Sequence, residues 1–100
     1  MSKPLLERDI ESRVCDYAKS KGWLTYKWVS PGHNFVPDRI FISPMGQFIA
    51  IEFKREGQKP TPMQIREHGR LRGHMVIVLV IDNVEDGKRW IDEFSEEVPK

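Results

Sequence analysis

Two apolar runs and the helix signal between them constrain this chain most. Phe48 to Phe53 and Met75 to Ile81 are rich in Ile, Val and Phe, as strands are. Between them, Thr61-Pro62-x-Gln64 has the form of a helix start. Thr61 is the N-cap, Pro62 suits the first helical position, and Gln64 at the third completes a capping box. The helix carries Met63, Ile65 and Leu71 and stops at Gly73. Strand, helix and strand in that order close as a right-handed crossover, so the two strands lie parallel and adjacent. The seven-residue run Met75 to Ile81 reads as a central strand. It is also the longest apolar run, far short of the roughly 20 residues a membrane helix needs.

The first of these strands also belongs to a hairpin. Arg39 to Ser43 predicts its partner, Pro44-Met45-Gly46 the turn, and Gln47 to Lys54 the return. Phe48, Ile49, Ala50 and Ile51 follow one another, which predicts burial on both faces. Upstream, Leu6, Ile10, Val14, Tyr17 and Ala18 recur at helical spacing, giving an amphipathic helix over Leu5 to Lys21 that Gly22 ends. Trp23 to Val29 reads as a strand and Ser30 to Pro37 as a loop. Asn83 caps a last helix bearing Val84, Trp90, Ile91 and Phe94. The order is α-β-β-β-α-β-α: an α/β fold with a mixed central sheet of about four strands flanked by helices. A chain of 100 residues holds one domain. The core is expected over 5–95, with a frayed polar tail over 96–100.

Charge sharpens the picture. The net charge is only +1, but residues 1–74 carry +5 and residues 75–100 carry −4. The densest basic stretch is 54–72, a positive surface able to steer a polyanion or simply to solvate a helix. Cys15 is the single cysteine, which excludes a disulfide within the chain and makes a reducing cytoplasm the expected location. No leader and no membrane span are visible, and no Gly-rich nucleotide loop calls for ATP.

Charged residues at the end of a buried strand break the pattern. Glu52 and Lys54 are two apart and share one side of their strand. The hairpin brings Asp38 beside them. Two carboxylates held together resist joint ionisation, and each uncompensated buried ion costs several kcal/mol. A divalent cation resolves the conflict. Magnesium is content with one or two carboxylates plus water and phosphate oxygens. Asp38 and Glu52 suit it, and the backbone carbonyl of Phe53 offers a third oxygen. Lys54 is placed to orient water or hold a phosphate oxygen, or else to form a salt bridge with either acid.

Pro37-Asp38, thirteen residues, then Glu52-Phe53-Lys54 is the pattern PD…ExK. With Ile10-Glu11, Gly22-Trp23, Lys27-Trp28, Pro31-Gly32, Arg39, Gly46, Pro60-Thr61-Pro62-x-Gln64 and Leu71-x-Gly73, the chain resembles the virus-type replication-repair nuclease (VRR-NUC) family of the PD-(D/E)xK superfamily. The match runs from about Leu6 to Val80 and is closest to stand-alone, phage-like members. The resemblance implies a restriction-endonuclease-like core and a magnesium- or manganese-dependent endodeoxyribonuclease leaving a 3′-hydroxyl and a 5′-phosphate. Asp38 and Glu52 are implied as metal ligands and Lys54 as the catalytic lysine. Glu11 is implied as an acidic helix residue near the metal, through water or a second ion, with Glu7 one turn earlier as its alternative. Gln64 is implied as a supporting site residue beside its capping role. The resemblance also implies a homodimer acting on branched DNA, in the manner of Holliday-junction resolvases. His33-Asn34-Phe35-Val36 departs from the small residues that often precede Pro-Asp in the family.

Candidate DNA contacts are Lys27, His33, Arg39, Arg55, Lys59, Arg66 and Arg70, each also readable as an ordinary solvated or paired side chain. His33, His68 and His74 lack zinc-ligand spacing with one another or with Cys15. Trp23, Trp28 and Trp90 read as core or interface, and Cys15 as a small buried residue. Exposed aromatics and the last helix are the candidate dimer surface. Two other functions fit the same residues: a non-catalytic DNA-binding module, and a general or restriction-type endonuclease on plain duplex.

Overall fold

A computed structural model describes residues 5–96. The elements are α1 (Glu7–Ser20), β1 (Leu24–Lys27), β2 (Arg39–Ile42), β3 (Phe48–Phe53), α2 (Pro62–Gly73), β4 (Ile77–Ile81) and α3 (Val84–Glu96). They follow the expected order. The expected tail beyond Glu96 lies outside the described residues.

The four strands form one sheet in the order β1-β2-β3-β4. The first three are antiparallel neighbours, and β3 and β4 pair in parallel, as the crossover requires. β4 is therefore an edge strand, not a central one. Its two faces are apolar because helices lie on both, Ile77, Leu79 and Ile81 toward the core and Val78 toward α2. Apolar residues report covered faces and say nothing about how many hydrogen-bonded neighbours a strand has. The run also starts later than expected. Met75 has φ 67° and is 90% exposed, standing in the turn before the strand.

One face of the sheet carries the core. Ile10, Val14 and Ala18 of α1 pack with Phe41, Ile49, Ile51, Phe53, Ile81 and Ile91. Gly22, with φ 85°, ends α1 and lets the N–H of Trp23 donate back to the carbonyl of Ala18. Trp23 then drops into the core and donates from Nε1 to Ser95 Oγ at 2.8 Å, tying the first helix-to-strand turn to α3. Cys15 is buried, and burial pushes its thiol above the usual range.

The opposite face is covered by α2 beside β4, and Trp28 packs edge-on against Phe48 there. Phe48 was expected to be buried, but it is exposed on that face, next to Leu24, Ile42 and Tyr26 of the neighbouring strands. The molecule is correspondingly flat, 41 × 40 × 19 Å. Among the described residues no helix is long and apolar enough to cross a membrane.

Candidate active site

The hairpin register decides where the charges meet. Arg39 pairs with Ile51, so one step further places Asp38 opposite Glu52. Asp38 Oδ2 accepts the backbone N–H of Phe53 at 2.7 Å. The Glu52 carboxyl in turn hydrogen-bonds to Asp38. Lys54 follows on the same side, its backbone N–H bound to the Ile81 carbonyl of β4 at 2.9 Å. Lys54 acts through its charge on Asp38, Glu52 and Glu7 together and is not among the ion pairs of the described residues. The expected alternative of a simple salt bridge is not what the chain forms.

Burial dominates the electrostatics. Glu52 is 2% exposed, and desolvation, reinforced by the Asp38 carboxylate, pushes its carboxyl up to about 8. Asp38 is raised as well, by burial first, against the Phe53 N–H that favours its charged form. The two acids therefore hold a proton between them at neutral pH. A hard cation accepts oxygens from both acids and removes the need for that proton. The donor set thus fits magnesium or manganese. Among the described residues no three His, Cys, Asp or Glu side chains form a metal cage, and a magnesium site that keeps its waters does not need one.

Both helix acids reach the pair. Glu11 Oε2 accepts from Arg39 Nε at 2.6 Å, and its charge also raises Asp38. Glu7 is linked to both acids. Burial raises its carboxyl, then Asp38 raises it further, and Glu7 in turn raises Glu52. Glu7 also lines a cleft of about 440 Å³ with Glu11, Arg8, Arg55 and Gln58.

Gln64 forms the expected capping box and also touches the buried acid. Its backbone N–H and Oε1 complete the capping box with Thr61, while Nε2 donates to Glu52 Oε2 at 3.3 Å. One amide side chain holds the helix start and the buried acid.

His68 is the residue that the zinc-spacing test passed over. It is buried at the same acid, its Nε2 lying 3.5 Å from Glu52 Oε1. Neither atom has a hydrogen-bond partner among the described residues. Burial lowers the imidazole pKa, and Arg72 and Lys54 lower it further, so the ring is neutral. A signal was present in the sequence: His68 is four residues after Gln64, hence on the same face of α2.

The remaining cations spread around the rim. Lys27 lines a cleft of about 260 Å³ beside Arg39, Arg8 and Asp16. Arg55 and Lys59 stand exposed on the loop after β3. His33 donates to Glu67 Oε1 at 2.8 Å, and Arg66 and Arg70 flank it on α2.

A mixed sheet with its first helix and last helix on one face gathers an Asp, a Glu and a Lys where two strands end, in the manner of a nuclease domain. The chain belongs to the VRR-NUC family. A solved structure described as a VRR_NUC domain superposes with a TM-score of 0.82, covering 88% of this chain and 96% of its own at 27% identity. A relative described as "Putative nuclease p44", from Acyrthosiphon pisum secondary endosymbiont phage 1, is 48% identical over 75 residues. That alignment covers 73% of this chain and 81% of the relative. No protein-family model matches the chain.

Proposed function

We propose that the protein is a magnesium- or manganese-dependent endodeoxyribonuclease of the replication and repair kind, acting as a homodimer on branched DNA. The observation that carries the catalytic part is the half-buried Asp38, bonded to the Phe53 N–H, set against the buried Glu52 and faced by Lys54. A structural salt bridge does not bury two acids against each other at the end of a strand.

Asp38, Glu52 and the Phe53 carbonyl would hold the ion, which supplies Lewis acidity for activating water and neutralising charge on the phosphate. The chain's own groups do the rest. Phe53 N–H fixes Asp38. Gln64 Nε2 fixes Glu52 from the α2 side, where the buried His68 ring also lies, 3.5 Å from Glu52 Oε1. Lys54 places a positive charge where an attacking water or a phosphate oxygen sits. Glu7 adds a further carboxylate at the helix edge. The outer sheet face with Leu24, Tyr26 and Phe48 is the apolar surface for self-association. Trp90 and Phe94, expected at an interface, stack on each other and pack partly buried against the core. A buried thiol and a phage relative agree with action in a host cytoplasm.

The test is cleavage of a four-way junction, a flap, single strands and plain duplex, with magnesium, with manganese and with chelator. Junction or flap cutting that needs the metal, and drops more than about 100-fold in Asp38→Ala, Glu52→Ala and Lys54→Ala, supports the reading. Equal cutting of plain duplex points to the general endonuclease instead. Salt-dependent binding with no cutting points to the non-catalytic module.

A further inference from the structure

A second cavity, of about 420 Å³, lies between the loop before Asp38 and the side of α2. Its walls include His33, Phe35, Met63, Arg66, Glu67 and Arg70. Phe35 is the unusual member. It has φ 71°, a left-handed conformation that bulky side chains rarely adopt. Its ring is nonetheless 43% exposed, so burying it does not repay the strain. The loop is pinned on both sides of it. His33 is bonded to Glu67, itself only 8% exposed, and Asp38 is bonded to β3. A fixed loop thus presents a strained aromatic ring to an open cavity, facing Met63 and Arg66, with Arg70 ion-paired to Glu67 at 3.4 Å beside them.

We propose that this cavity takes an unpaired nucleotide of the strand being cut, its base stacked on Phe35 and its phosphate held by Arg66 at the cavity wall. Aromatic faces beside cations are what single-stranded nucleic acid needs. Inside a duplex the base faces are already stacked, so a paired nucleotide has no face to offer. Phe35 stands three positions before Asp38, a Cα–Cα span of about 10 Å at most. At about 3.4 Å per stacked nucleotide, the base lies within roughly three nucleotides of the cut. The proposal rests on the nuclease reading and gives it a physical source of selectivity for flaps and other branches that carry unpaired nucleotides.

Binding is measured in chelator, where no cutting occurs, using a flap and a fully paired duplex of the same length. Phe35→Ala is expected to weaken flap binding about tenfold or more, to leave duplex binding unchanged, and not to lower the melting temperature. Phe35→Trp is expected to keep flap binding. A flap carrying 5-iododeoxyuridine in its first three unpaired positions is expected to crosslink to Phe35. Unchanged flap binding in Phe35→Ala, an equal loss on duplex, or crosslinks only elsewhere overturns the proposal. A protein that cuts metal-dependently yet binds flaps equally with and without Phe35 keeps its nuclease activity and loses this site. One that binds flaps through Phe35 but never cuts does the reverse.

Discussion

Asp38 and Glu52 compete for charge in a dry place, and pH measures that competition. The Glu52 carboxyl is raised in the folded chain, so the folded state holds its proton more tightly than the unfolded state does. Its stabilising effect is complete below the unfolded value near 4.5 and is lost as pH rises through about 8. The metal-free protein should therefore melt at progressively lower temperature between pH 5 and pH 9, as calorimetry would record. Magnesium or manganese should remove most of that slope. Glu52→Gln should flatten it without metal and raise stability near pH 9 by on the order of 2 kcal/mol. A slope unchanged by Glu52→Gln would place the titration elsewhere. His68 is argued from contact alone. His68→Leu should weaken manganese binding about tenfold by calorimetry without DNA, while His68→Gln, which keeps a donor, should retain most of it. These acids were legible from spacing, since strand alternation puts residues 52 and 54 on one side. His68 was not, because a histidine in a charged helix looks solvated until the sheet beneath it is known.

Helix α2 shows how far local signals reach. Its start was readable to the residue, for the capping box is local chemistry. Its buried face was not. Met63 and Ile65, two of the apolar residues it carries, are exposed, while Glu67 and His68 are buried. The helix is positioned by polar contacts to Glu52 and the 30–37 loop, which override the apolar pattern. The α1–α3 contact is the opposite case, decided by size. A Cβ at Gly87 would stand 2.5 Å from Val14 Cγ2, in a place where Val14 is fully buried and its branched side chain is stiff. Alanine gains about 1 kcal/mol in helix propensity over glycine, but overpacking costs about 1–3 kcal/mol. Gly87→Ala should thus destabilise by roughly 1 kcal/mol, seen in urea unfolding, and Val14→Ala in the same chain should relieve the clash. A Gly87→Ala protein more stable than wild type would mean the helices can slide apart.

Thickness governs the whole molecule. At 19 Å in its shortest dimension, the chain leaves the outer faces of β1 and β2 bare. Leu24 and Tyr26 are each 52% exposed there. If that face joins two copies, Tyr26→Glu should convert a dimer to a monomer in sedimentation while leaving the melting curve of the monomer fold intact. A dimer that persists in Tyr26→Glu would move the interface to another face. Read alone, the order of residues settled the element sequence, the parallel crossover and the acid–acid–lysine cluster, because hydrogen-bond caps, periodicity and hairpin pairing act over short stretches of chain. Which strand lies at the edge, which helix face is buried, and which of Glu7 and Glu11 is free of Arg39 were decided only by folding. These depend on which surfaces meet across long stretches of chain, and contact between distant segments leaves no periodic trace in either.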